Sequence, residues 1–393
     1  MLGNIIVQHG HRAPRNQAHV RCDIAAIIGF VLPHNHPENL QTGDFVEIVV
    51  RGEQEFGNYE HVGCFDPATK RAVRNFFRNG GDTVHVLGVC VDEVDDLKSN
   101  LRIEAVCSSL FHRLESEEDF SILLIPALAY FGLQMLSDGT ILFEGEPLMS
   151  RLLQHCAIMN NRFLILDAPQ HLHDELLVRW VEQISERYEK MSAFGAMYYP
   201  WLCAGEDVFP PSSVMAGVYV AVEKLHPPIG VQWPPANIPV RGCTHSSIEL
   251  TNQEATNLAK AHVNPIVLVP GKGLMPMGAR TLSRDPIFQQ INSRRIVNMI
   301  IEQIQRDTQW AVFEVNNPHL WTIVSRDVAS RLEEFWNVGL LELSQEGEKY
   351  FVMCNEQNNP RHSLDAGYIN VEVRLQPVGT TEQILIDFAL GGG

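Results

Sequence analysis

Two stretches decide how this chain is read: Pro270–Ser283, PGKGLMPMGARTLS, and Thr308–Trp321, TQWAVFEVNNPHLW. In the first, Gly271, Gly273 and Gly278 are set among Pro270 and Pro276, which predicts an irregular, closely packed connection rather than a helix or strand. In the second, the run Gln309–Val315 predicts a buried strand that stops at Asn316 and Asn317. A helix should follow. Asn317 suits the N-cap, Pro318 the first helical position, and Gly339 stands where a helix-ending glycine belongs. Helical spacing puts Leu320, Val324, Val328, Leu332 and Phe335 on one face and His319, Thr322, Arg326, Ser330, Glu333 and Asn337 on the other. The apolar face should pack on a sheet, leaving the polar face to meet a partner.

Upstream, strands at Asp23–Leu32, Phe45–Val50, Thr83–Val91, Phe120–Ile125, Phe163–Leu166 and Phe194–Tyr199 alternate with helices opening near Asp66, Pro147, Asp174 and Ser213. Nearly all-apolar strands between helices predict an α/β chain of layered mixed sheets with flanking helices. Pro227, Pro228, Pro234, Pro235 and Pro239 demand a connector, so two lobes are expected. The division reads as an arm over 1–22, an α/β region over 23–226, a connector over 227–240, a core domain over 241–377 and a second arm over 378–393. Helix Asn292–Arg306 should turn Ile296, Ile300 and Ile304 inward. The alternation of Ile369, Val371, Val373 and Leu375, and of Ile384, Ile386, Phe388 and Leu390, predicts two half-buried strands.

The 30 Lys and Arg against 47 Asp and Glu give a net charge of −17, which argues against nucleic acid as a general partner. The acidity reads either as a solvated surface or as a match to a basic partner. The apolar runs are too short for bilayer insertion, and the N-terminus lacks a secretory h-region, so synthesis and first assembly in the cytosol are expected. The eight scattered cysteines form no C-x-x-C pair and are expected to be reduced.

Several short patterns touch on chemical motifs without completing one. Gly271-Lys272-Gly273 lacks the Ser or Thr that a phosphate loop needs after its Lys. The pairs His9/His11, His34/His36 and His171/His173 have no carboxylate or Cys at a telling distance for a metal. Cys243-Thr244-His245-Ser246 is a chance adjacency, and His173-Asp174-Glu175 sits at a helix start. The expectation is therefore no catalytic residues, no cofactor and no metal.

Gly278-Ala279-Arg280-Thr281-Leu282, Ser293-Arg294-Arg295, Thr308-Gln309-Trp310, Phe313-Glu314, Asn317-Pro318, Leu320-Trp321, Asn358-Asn359-Pro360 and Leu375-Gln376-Pro377 together resemble the C-terminal domain of contractile tail sheath proteins. Phe76–Gly81, Arg162–Pro169, Pro211–Tyr219 and Pro235-Ala236-Asn237 extend the likeness upstream and keep the family's order. In flavour it is closest to sheaths of phage-tail-like extracellular contractile injection systems.

That resemblance implies a structural subunit that stacks helically with copies of itself around an inner tube, on a baseplate and below a tail terminator. Contraction would drive the tube through a target envelope, with energy stored in subunit contacts. It further implies that terminal arms add strands to neighbouring subunits, for which Ile5, Ile6, Val7, Ile384, Ile386 and Phe388 are the candidates. The family's Pro-Gly-Val-Tyr opening is missing near residue 1. The tube-facing candidates are Arg326, Ser330, Glu333 and Asn337. A sheath-like adaptor at the baseplate or tail end is the near alternative, and an α/β enzyme with an unrecognised site the distant one.

Overall fold

The computed structural model describes residues 19–31, 40–59, 64–91, 100–117, 119–170, 172–361, 368–380 and 382–390. Its larger lobe is built on one eight-stranded sheet. In chain order its strands are β1 (Ala25–Val31), β2 (Phe45–Val50), β3 (Val84–Cys90), β4 (Ile122–Leu124), β5 (Phe163–Asp167), β6 (Gly195–Tyr199), β7 (Val263–Val269) and β8 (Gly273–Pro276). Across the sheet they lie in the order β8-β7-β6-β5-β4-β1-β3-β2. The core run from β7 to β3 is parallel, while β2 and β8 close the two edges antiparallel.

Strand β1 shows why the sheet is central. Every residue of AAIIGFV is buried. Ala26, Ile28 and Phe30 enter one core cluster and Ala25, Ile27 and Val31 another, as the period-two geometry of a doubly covered strand requires. Helix α1 (Pro67–Arg78) is fixed to β1 by its cap residue. Asp66 Oδ1 accepts from Thr69 N–H at 2.9 Å, and Oδ2 accepts from Phe30 N–H at 2.9 Å. A Cβ on Gly29 would lie 2.0 Å from Thr69 Oγ1, so glycine is what lets the helix start sit against the strand.

Further helices are α2 (Glu146–Met159), α3 (Asp174–Arg187) and α4 (Ser212–Leu225). Helix α4 lies on α1 at short range, since a Cβ on Gly217 would fall 2.4 Å from Phe76 O. The strand order reverses direction between β1 and β4. There a short 3-10 turn, Pro126–Tyr130, leaves β4 with Pro126, Ala127, Leu128 and Ala129 buried, and it touches β1, β5 and α1.

The smaller lobe packs α5 (Ile291–Thr308) and α6 (Pro318–Asn337) on a sheet of β9 (Leu341–Glu342), β10 (Tyr350–Met353), β11 (Ile369–Pro377) and β12 (Ile384–Leu390). Strand β11 is its centre. A third core cluster joins Ile296, Ile300 and Ile304 of α5, Val324, Val328, Leu332 and Phe335 of α6, and Ile369, Val371, Val373 and Leu375 of β11. Helix α6 begins as its sequence predicts, with Asn317 Oδ1 accepting from Leu320 N–H at 3.0 Å.

Three expectations are corrected. Gln309–Val315 is not a strand. Residues Gln309–Phe313 form a 3-10 turn in which Ala311 alone is buried, because β9 to β12 already supply the sheet on which α5 and α6 pack. Pro270–Ser283 is not wholly irregular, since β8 pairs with β7 through a turn in which Gly271 and Gly273 take left-handed φ values of 76° and 92°. The connector 227–240 does not end the first sheet, because β7 and β8 lie beyond it and continue that sheet from β6. It is also packed rather than loose: Ile229 and Val231 join the core of the smaller lobe.

None of the eight cysteines is joined in a disulfide. Among the described residues no helix is long and apolar enough to cross a membrane, and no group of three or more His, Cys, Asp or Glu is placed to hold a metal ion. His9, His11, His34, His36 and His171 lie outside the described residues. His173 precedes α3, its Nδ1 3.4 Å from the Tyr199 hydroxyl.

Candidate assembly interface

The smaller lobe presents two surfaces suited to assembly, the outer side of α6 and the edge of its sheet. On α6, Arg326, Ser330 and Asn337 are exposed. The Arg326 guanidinium is 67% exposed and lies 3.5 Å from Asp327. Glu333 is placed on the same side but is engaged at home. Lys349 Nζ donates to it at 2.8 Å and the Tyr350 hydroxyl at 3.0 Å, which holds its carboxyl below the usual range. Burial, reinforced by that same carboxylate, pushes Tyr350 up to about 12. Of the four residues expected to face a partner, Arg326, Ser330 and Asn337 are exposed, and Glu333 braces α6 against β10.

What holds α6 in place is Arg331, which the sequence reading passed over. Its side chain is 1% exposed and that of Asp307 on α5 is 5% exposed. The guanidinium donates to Asp307 at 2.5 and 3.1 Å and to Glu334 at 2.6 Å. A buried arginine finds its stability in such bidentate pairing, which locks the angle between the two helices. The sequence signal was faint: Arg331 falls beside the apolar stripe, between Val328 and Leu332, rather than on the polar face.

Helix α5 joins the lobes through polar residues on the sides not filled by its isoleucines. Asn161 Nδ2 donates to Glu302 at 2.8 Å, Asn298 Nδ2 to Arg162 O at 3.1 Å, and Arg295 to Glu223 at 3.1 Å. Arg294 is stacked between Phe194 and Phe288, its guanidinium 4.4 and 4.5 Å from the ring centres, and burial lowers it to about 9. Such partners come from far along the chain, so helical spacing alone could not announce them.

At the sheet edge the expectation for the C-terminal arm is corrected. Strand β12 pairs along its whole length with β11 of its own chain, from Ile369↔Leu390 to Leu375↔Ile384. Ile384, Ile386 and Leu390 are buried in the lobe's own core, and Phe388 packs against it. They are core residues of this chain first. The outer edge of β12 is paired with no strand among the described residues, so its backbone is the part of the arm that can still accept a strand. The N-terminal candidates Ile5, Ile6 and Val7 lie outside the described residues.

Residues 283–390 match the family described as phage tail sheath C-terminal domain. The tail sheath protein of Vibrio phage KVP40 is 23% identical over 156 residues, covering 37% of this chain and 22% of that protein. The match thus spans about a fifth of that curated relative's length. Among solved structures, the contracted-state sheath complex of PVC, an extracellular contractile injection system, matches with a TM-score of 0.70 at 22% identity, covering 99% of this chain and 97% of that one. A chain of the anti-feeding prophage (AFP) baseplate matches with a TM-score of 0.68 at 20% identity, covering 99% and 98%. Residues 283–390 thus match the phage tail sheath C-terminal domain, and nearly the whole chain shares the fold of the contracted-state PVC sheath chain.

Proposed function

We propose that this protein is the repeating subunit of a contractile sheath, stacking helically around an inner tube and shortening to drive that tube through a target envelope. The role is structural rather than enzymatic. The observation that carries it is a match to the sheath C-terminal domain whose sheet ends at β12 in an edge that no strand covers among the described residues. An extended segment from a neighbour would add there by main-chain hydrogen bonds, each contributing about 1 kcal/mol. Because that tether is backbone in register, it tolerates rotation of the subunit bodies while keeping them linked. The energy released on contraction then resides in contacts made at assembly, and no nucleotide is consumed.

The outer side of α6 is the proposed tube-facing surface, through Arg326, Ser330 and Asn337. Exposed polar contacts contribute only about 0.2–1 kcal/mol each and are screened by salt, which suits a surface that must align a tube and later let it slide. The subunit's further partners are the baseplate and a tail terminator, in a particle first assembled in the cytosol. A second reading, a sheath-like adaptor at the baseplate, is favoured by the likeness to the AFP baseplate chain.

Electron microscopy of the purified protein with its tube tests both. Long tube-filled sheaths that shorten in mild acid or denaturant without nucleotide are expected. Single rings would favour the adaptor, and strict dependence on ATP would defeat the stored-energy mechanism. Arg326→Glu should leave folding and self-association intact while lowering the yield of tube-filled sheaths. Unchanged yield would move the tube contact off α6.

A further inference from the structure

Four arginines are buried among the described residues, and three of them are met by groups of their own chain. Arg162 donates to Asn161 Oδ1 and to the carbonyls of Leu114 and Glu117, at 2.8, 2.6 and 2.7 Å. Arg295 donates to Glu223 and to Cys22 O, and Arg331 to Asp307 and Glu334. Arg294 differs. It is 5% exposed, its Nε donates to Asn298 Oδ1 at 2.8 Å, and its Nη2 is buried with no partner among the described residues. Burial alone shifts its charge state, with no described carboxylate to offset it. A charge this deep is rarely left without a counterpart.

The two rings beside it limit what that counterpart can be. Phe194 and Phe288 lie 4.4 and 4.5 Å from the guanidinium, one on each face, so only its edge is open to a partner. A flat, two-toothed acceptor matches that slot, and a carboxylate is the planar anion that pairs with a guanidinium edge. So little of Arg294 reaches solvent that the slot admits a single side chain rather than a surface. Phe194 belongs to the larger lobe's core and Phe288 packs against the cores of both lobes, so the slot lies where the lobes meet. Acids of the same chain on adjoining segments are committed elsewhere. Asp285, on the turn that carries Phe288, accepts from Ile287 N–H at 3.0 Å, and Glu302, two turns along α5, accepts from Asn161 and Arg306. The chain is acidic overall, at −17, so each copy has many carboxylates to offer the next.

We propose that Arg294 is the receptor for a carboxylate side chain, Asp or Glu, presented by a second copy of this chain. The guanidinium edge is completed only on assembly, so the cost of burying an unpaired charge in the free subunit is returned when two copies meet. The inference rests on the self-assembly proposed above, but not on the copies going on to form a sheath.

Sedimentation velocity and thermal unfolding of the full-length protein test it. Arg294→Met replaces an unpaired charge by an apolar chain of similar length. The free subunit should therefore melt at or above the parent's temperature, while self-association weakens by about tenfold to a hundredfold. Arg294→Lys keeps the charge without the flat fork and should associate about tenfold more weakly. Sodium acetate, exchanged for sodium chloride at equal ionic strength, should stabilise the parent's free subunit and loosen its association, and do neither to Arg294→Met. A parent that stays monomeric at every concentration overturns the proposal. If Arg294→Met melts below the parent, the Lys variant decides, and association equal to the parent's overturns it. An acetate response in the parent with unchanged association in both variants would give the slot to a free small anion and overturn the second copy as its source. Oligomers that need Arg294 but never lengthen into sheaths would count against the sheath reading and leave the contact standing.

Discussion

The ion pair between Arg331 and Asp307 makes a quantitative claim about how the smaller lobe is held together. Both side chains are almost fully enclosed, and the guanidinium donates twice to Asp307, at 2.5 and 3.1 Å. Asp307→Ala takes from Arg331 its buried carboxylate partner, leaves the half-exposed Glu334 in place, and also strips Gln303 of the oxygen to which its Nε2 donates at 3.1 Å. Removing one partner of a buried pair costs about 3–5 kcal/mol, because the survivor remains desolvated. Arg331→Met should cost a similar amount. Replacing both at once, Asp307→Leu with Arg331→Met, removes both desolvated charges and should cost less than either single change, so the coupling should reach about 3 kcal/mol or more. Urea unfolding followed by tryptophan fluorescence reads this directly, since Trp310, Trp321 and Trp336 lie in the lobe. Each single variant should lower the midpoint by about 1 M or more and the double variant by much less. If the double variant is as unstable as the two single changes summed, the pair is not the coupled unit inferred here.

Two other outcomes follow from burial. Ile386→Ala, which empties a position facing Val373 from β12, should destabilise the lobe by about 2–5 kcal/mol, and removing Gln383–Gly393 should leave it unfolded to limited proteolysis; a stable truncated monomer would show that β12 is not part of its own core. Asp167, whose carboxyl accepts from Ser212 N–H at 2.6 Å at the start of α4, is pushed up to about 7 by burial. A carboxyl raised in the folded state favours folding most below about pH 4, and that advantage is lost as pH rises toward 7. Asp167→Asn should therefore match the parent near pH 4 and exceed it in thermal stability near pH 8, and a difference that does not change with pH would refute the assignment.

How far the fold was legible depends on where each residue's partner lies. Helix α6 could be read in full, from Asn317 at its cap to Phe335 on its inner stripe, because capping and periodicity are local. The doubly covered β1 and β3 announced themselves as apolar runs. The same logic misread Gln309–Val315, since a short apolar run alone does not distinguish a buried strand from an exposed turn. Here the outcome turned on whether the lobe's sheet needed another strand. The polar sides of α5 were unreadable for a related reason. Asn298 meets Arg162, and Arg295 meets Glu223, across separations of 136 and 72 residues. Of the assembly candidates, Arg326, Ser330 and Asn337 stood where helical spacing put them, whereas Glu333 was claimed by Lys349 and Tyr350, which only the folded lobe brings near.

The turn Pro126–Tyr130 gives the larger lobe a mechanical character. In open α/β sheets the reversal of strand order opens a cleft at the carboxyl ends of the strands, and proteins close on ligands there. In this chain the cleft is filled by its own backbone, with Ala127, Leu128 and Ala129 sealed between β1, β5 and α1. Close-packed interiors compress very little. A force applied at one end of this sheet therefore meets a solid block where a related fold would have a jaw, and it is passed on to whatever the block is fastened to.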